Sequence, residues 1–268
     1  MKLTNKLCSA ALLAAVGVSI ALPSITKAAE EPEQAISTNK GDMDIQFTRN
    51  TADDTDTTRP ELTNSDGTPV TDLTSGTVTR PLTPAVFGIQ DVTPLSFGEH
   101  AIVTDGNTRE FWAKNYKETN GEMANNVVIK DVRSTLNHNY TLTAQITKPM
   151  TTTVTEGNTS VERKLEGATL TYSNIQRQTN VADEIALSPD AVAPTVTVKE
   201  DAPEAVVNNT NAATPDKGQG QTYIQFGKLN AAGDTASDKS VKLTVGKDQT
   251  IFEGQYKGEV TWVLSATK

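Results

Sequence analysis

The sequence predicts an all-β protein: a single antiparallel β-sandwich-like domain with long acidic, threonine-rich loops. Three observations carry this. Apolar residues recur at every second position in several segments, 41 of the 268 residues are threonine, and helical periodicity is scarce after residue 30. β-Branched threonine fits pleated backbone better than helix. Alternation places apolar side chains on one face of a sheet and hydroxyls on the other, as half-buried antiparallel strands require.

In chain order, Met43, Ile45 and Phe47 alternate with Asp44, Gln46 and Thr48, which predicts an opening strand from Met43 to Arg49. Tyr140, Leu142, Ala144 and Ile146 alternate with Thr141, Thr143, Gln145 and Thr147. Ala168, Leu170 and Tyr172 form the next set, then Val241, Leu243 and Val245, and finally Val260, Trp262, Leu264 and Ala266. Asp105-Gly106, Glu156-Gly157-Asn158 and Gly218-Gln219-Gly220 supply turn residues between them. Two stretches read differently. Residues 51–84 hold Asp53, Asp54, Asp56, Glu61, Asp66 and Asp72 among threonines, and 203–219 is similarly poor in large apolar side chains. Neither composition offers enough burial to offset ordering entropy, so both are expected to be mobile loops within one domain. Tyr140-Thr-Leu-Thr-Ala144 and Trp262-Val-Leu-Ser-Ala266 share the form aromatic-x-Leu-x-Ala, with a hydroxyl residue before the Ala. Coincidence between two amphipathic strands accounts for one five-residue match as well as a repeat does.

The N-terminus is expected to direct export. Lys2 and Lys6 precede an apolar run from Leu7 to Leu22, and Thr26-Lys-Ala28 gives a small-residue exit. This is the layout of a secretory signal peptide over 1–28. A retained membrane anchor is the alternative, but the run is short of about 20 apolar residues and Pro23 interrupts its end. Cleavage removes Lys2, Lys6, Lys27 and the lone Cys8, taking the formal charge from −9 to −12 over residues 29–268. A thiol-free exported chain points to a Gram-positive envelope, since staples are common in other oxidising compartments. No second apolar stretch of membrane length and no sorting signal follows.

Composition also excludes chemistry. An acidic chain lacks the basic footprint of a nucleic-acid binder. Two histidines and one cysteine are too few for a zinc cage. His100 and His138 lie in no nucleophile motif and are expected at the surface or at strand ends. Asp54-Thr-Asp56 lacks the glycine and glutamate of a calcium loop, and Asp183-Glu184 is expected to be solvated. No phosphate-cradling glycine motif occurs. No cofactor is expected and no enzyme activity.

Several segments, in order, resemble the WxL-domain family of surface proteins from low-GC Gram-positive bacteria. They are Lys40-Gly-Asp-Met-Asp-Ile-Gln-Phe47, Pro94-Leu-Ser-Phe-Gly98 with His100-Ala-Ile102, Val128-Ile-Lys-Asp-Val-Arg133 leading to Tyr140-Thr-Leu-Thr-Ala144, Leu165 to Asn174, and Tyr256-Lys-Gly-Glu-Val-Thr-Trp-Val-Leu264. Tyr140 stands where the family has Trp, so Trp262 supplies the W-x-L itself. The resemblance covers about residue 38 to the end. It implies non-covalent attachment to the cell wall with peptidoglycan as ligand, and partner surface proteins of the same complexes. A structural subunit or adhesin, held by partners and contacting a host ligand, is the other function class. Trp262, Leu264, Tyr256, Tyr140, Leu142, Asp131 and Arg133 are the motif residues so implied.

Two readings of these residues stay open. Trp262 shares a face with Val260 and Leu264, as a core residue would, yet an amphipathic ring can also stack on a sugar; Tyr140 and Leu142 divide in the same way. Asp131 and Arg133 are two apart on one face and form either a structural ion pair or part of a contact surface.

The export reading predicts a secreted species that lacks the first 28 or 29 residues by intact mass. A dominant full-length mass in the membrane fraction would contradict it.

Overall fold

The computed structural model describes residues 43–47, 55, 57–60, 62, 68–103, 105–210 and 213–267. The chain divides into two units, Met1–Phe47 and Thr48–Lys268. In the first, Met43–Phe47 adopts no strand, and Met43, Ile45 and Phe47 are 97, 76 and 84% exposed. The expected opening strand is therefore absent over those residues, and its continuation to Arg49 lies outside the described residues. Alternation marks a face that could be buried; it does not supply the neighbouring strand that buries it.

In the second unit the described strands are β1 (Thr74–Gly76), β2 (Phe87–Val92), β3 (Arg109–Trp112), β4 (Tyr116–Glu118), β5 (Gly121–Met123), β6 (Asn126–Asp131), β7 (Tyr140–Glu156), β8 (Thr159–Lys164), β9 (Thr169–Ser173), β10 (Ile175–Thr179), β11 (Thr195–Val198), β12 (Glu204–Asn209), β13 (Gly220–Phe226), β14 (Val241–Val245) and β15 (Lys257–Ala266). Among the described residues helix is confined to single 3₁₀ turns such as Pro189–Ala191. The fold is all-β, and its strands pair antiparallel throughout.

The sheets run β10-β13-β6-β2, β11-β9-β14-β3 and β12-β7-β15, with a small β1-β5-β4 sheet. β8 returns alongside β7 through the two-residue turn Gly157-Asn158. Gly157 has φ +60°, the left-handed value that a tight hairpin demands at its first central position. The three four-strand groups share one core, in which Leu142, Ala144, Leu170, Tyr172, Val241, Leu243, Ile224 and Phe226 meet. β9, β14 and the Tyr140–Ile146 half of β7 bury every second residue, as their alternation predicts.

β6 and β13 are different, because both are buried along their whole length. One face of their sheet, with Val127, Ile129 and Ile224, meets the main core. The other face, with Val128 and Tyr223, meets a second core built with Leu62, Leu73 and Leu82. That second core corrects the reading of 51–84 as a plain loop. Three leucines fasten a polar stretch down, β1 lies within it, and Arg59 and Arg80 both pair with Asp91. The stretch 203–219 needs the same correction, since Glu204–Asn209 is β12 and pairs with β7. Val206 and Val207 are fully buried there, and so short an apolar pair is diluted in any compositional average.

Leu142 is fully buried and faces Leu264 across the β7–β15 pair. Leu142→Ala is expected to lower unfolding free energy by about 2–5 kcal/mol, the range for emptying a packed core position, measured by urea titration. A loss below about 1 kcal/mol would contradict this packing.

Candidate functional site

The two echoing segments are neighbours. β7 and β15 pair antiparallel with Tyr140 opposite Ala266, Thr141 opposite Ser265, Leu142 opposite Leu264, Thr143 opposite Val263 and Ala144 opposite Trp262. Each segment reads aromatic, x, Leu, x, Ala, so reversing one against the other sets each ring beside an alanine methyl and leucine beside leucine. Large and small side chains thereby fill one layer without overlap, which is the requirement of close packing. The match between the segments has a structural reason: they are the two halves of a self-complementary strand pair.

At one end of this pair, Tyr140 is buried, and its hydroxyl donates to the Gly218 carbonyl at 3.1 Å. Burial holds its phenol pKa far above the ordinary tyrosine value. Gly218, at φ +109°, lies so close that a Cβ there would sit 2.2 Å from Asn209 Nδ2. Asn209 in turn donates to the carbonyls of His138 and Lys217 at 2.9 and 2.8 Å. Asp131 is only 2% exposed. Its carboxylate accepts from Arg133 Nε at 2.9 Å and Nη2 at 2.7 Å, and from His138 Nδ1 at 3.1 Å. That hydrogen bonding raises the Arg133 pKa further, so its charge is fixed. The Arg133 guanidinium also lies 4.0 Å from the centre of the Phe87 ring, which packs against Tyr140. The arrangement is a knot that ties β6 and β7 to Asn209, Lys217 and Gly218. His138, expected at the surface or a strand end, precedes β7 but is 3% exposed, because Asp131 supplies the acceptor that permits its burial. His100 is exposed. Asp183, expected to be solvated, is exposed and pairs with Arg177 at 2.7 Å.

At the other end, Trp262 is half-buried. Its ring meets Tyr172 edge-on at 5.5 Å between centroids and lies nearly parallel to Phe226 at 6.1 Å. The indole therefore belongs to the core and also borders a groove of about 500 Å³. Val260, Tyr256, Leu95, Phe97 and Met150 supply its apolar walls, and Asn126, Lys148, Glu200 and Glu259 its polar groups. The Tyr256 hydroxyl accepts from the Phe252 backbone N–H at 3.0 Å, which fixes the ring at the groove. Glu200 is held by Lys164 at 2.9 Å.

The motif residues thus separate. Trp262 and Tyr256 line the groove, whereas Tyr140, Leu142, Leu264, Asp131 and Arg133 form the frame behind it. The groove wall formed by Leu95 and Phe97 comes from the Pro94–Gly98 segment, whereas nothing local marks Met150. Among the described residues no group of three His, Cys, Asp or Glu side chains could hold a metal ion, and no helix is long and apolar enough to cross a membrane.

Asp131→Ala leaves Arg133 and His138 without their buried acceptor. The expected loss is about 3–5 kcal/mol in urea titration, with Asp131→Asn less costly. Equal stability of both variants and the parent would contradict the knot.

A family model described as WxL domain surface cell wall-binding matches residues 34–267. No curated protein sequence and no solved structure matches the chain.

Proposed function

The chain belongs to the WxL family of surface cell-wall-binding domains, and on that premise we propose that it is exported, loses residues 1–28 and attaches non-covalently to peptidoglycan. The observation that carries the attachment reading is the groove along Trp262 and Tyr256. It offers aromatic and aliphatic walls with amide, lysine and carboxylate groups, which suits stacking and hydrogen bonding to a glycopeptide. Net charge argues the same way. An exported chain at −12 gains nothing from simple ionic adhesion to anionic wall polymers, and charge effects fade beyond about 8 Å at physiological ionic strength. Short-range contact has to hold it.

In this reading Tyr256 and the exposed rim touch the wall, and Trp262 is the floor on which the groove depends. Tyr140, Leu142, Leu264, Asp131 and Arg133 hold the two strands in place and touch no ligand. The reading in which partner proteins hold the chain, with a host ligand contacted elsewhere, is separated by binding to protein-stripped walls. Direct attachment requires none of the partners.

Urea or hot detergent is expected to release the protein from intact cells without muramidase, and moderate salt to release little. Tyr256→Ala should weaken sedimentation with protein-stripped walls about three- to tenfold, the size of one lost aromatic contact, when assayed well below the variant's melting temperature, which falls because the ring packs on the core and its hydroxyl accepts from Phe252. Release only after enzymatic digestion of the wall would overturn the reading.

A further inference from the structure

The groove beside Trp262 differs in chemistry between its depth and its rim. Its depth is lined by Leu170, Tyr172, Phe226 and Leu243, which also belong to the main core. The two buried polar residues of the lining, Thr93 and Asn126, are engaged with the protein itself. The Thr93 hydroxyl donates to the Asn126 carbonyl at 3.2 Å and accepts from the Asn126 N–H at 2.9 Å. The Asn126 side-chain nitrogen donates to the Ala124 carbonyl at 2.7 Å, and the side-chain oxygen is closed to solvent. What the depth presents to a ligand is apolar surface.

The rim is the reverse. Lys148, Lys257 and Glu259 border the groove and are exposed, and Glu259 lies opposite Lys148 across the β7–β15 pair. Among the described residues none of the three forms an ion pair. The Tyr256 hydroxyl accepts from the Phe252 N–H, which leaves its own proton to donate. Both signs of charge and a hydroxyl donor therefore stand ready around an apolar slot of about 500 Å³.

We infer that the groove takes the peptide stem of peptidoglycan rather than its sugar chain, an assignment that rests on the attachment proposed above. Alanine methyls of the stem enter the depth, its carboxylates meet Lys148 and Lys257, and its free amine meets Glu259. Burial decides between the two halves of the ligand. A sugar carries hydroxyls around its ring, and each one placed in the depth would lose water without gaining a partner. A methyl group has no such penalty and gains contact with Trp262 and Phe226. Charge gives the second argument. A chain of N-acetylated sugars has no amine to offer Glu259, whereas a stem with one diamino acid carries an amine and carboxylates within a few residues. Those pairs act at contact distance, where the net charge of the chain matters least.

The test is sedimentation of the purified protein with protein-stripped walls, before and after an N-acetylmuramoyl-L-alanine amidase has cut the stems from the insoluble sugar chains. Removal of the stems should weaken sedimentation at least about tenfold. A free stem peptide, L-Ala-γ-D-Glu-L-Lys-D-Ala, should displace the protein from intact walls at about 1–10 mM, whereas a tetramer of N-acetylglucosamine should not. Lys148→Gln and Glu259→Gln should each weaken wall binding about two- to fivefold, the size of one exposed ion pair, while the melting temperature holds because both side chains are exposed. Undiminished sedimentation with stem-free sugar chains, displacement by the sugar tetramer and not by the peptide, or full binding by both variants overturns the assignment and leaves wall attachment standing. Failure to sediment with intact walls overturns the attachment itself, and the assignment with it.

Discussion

The pairing of β7 with β15 is the constraint on which the rest depends. Side chains alternate with a period of two, so a one-residue slip would turn either Tyr140 and Leu142 or Trp262 and Leu264 away from the core, according to which strand moved. The observed register avoids this by matching each aromatic ring to an alanine and leucine to leucine. Tyr140 is then placed against Gly218, and Trp262 against Tyr172 and Phe226. One end of the pair becomes a sealed polar knot, the other an open apolar groove. The sequence distance between the segments, more than a hundred residues, makes this a non-local contact that local propensity alone cannot set.

The division of labour follows from burial. Asp131, Arg133 and His138 satisfy one another at the closed end, which is how charge can remain inside an otherwise apolar layer. The Asp131 carboxylate, 2% exposed, is taken up by these two neighbours. At the open end the polar groups lie beside aromatic and aliphatic walls, where a ligand can reach both kinds of surface. Under the proposed attachment, an acidic chain is served by such a surface better than by charge.

Legibility in the sequence tracked exposure. Tyr140–Ile146, Thr169–Ser173 and Val241–Val245 have one face in the core, so their alternation was readable and their burial matches it. Asn126–Asp131 and Gly220–Phe226 lie between two cores and show no alternation, so periodicity passes over them; only family resemblance touched the first. Leu62, Leu73 and Leu82 are too widely spaced to form a pattern, and Val206-Val207 too short. Met43–Phe47 shows the reverse error, a pattern that forms no strand over the described residues. At the site, the C-terminal motif pointed to Trp262 and Tyr256. It could not say that Trp262 is floor as well as core, because that depends on Tyr172, Phe226 and Phe97 from three other segments. The burial of His138 was invisible for a related reason: a lone histidine in a polar turn gives no local sign of a carboxylate folded against it.

The register of β7 against β15 is open to direct measurement by cysteine cross-linking in a chain lacking Cys8. Thr143 and Val263 are directly opposed, with side chains on the face away from the core. Opposed residues across an antiparallel pair meet the distance that a disulfide requires. Thr143→Cys with Val263→Cys should therefore oxidise to an intramolecular disulfide in the folded protein, whereas Thr143→Cys with Ser265→Cys, offset by two residues, should remain reduced. Cross-linking of the offset pair in preference to the opposed pair would show a different register and contradict the account.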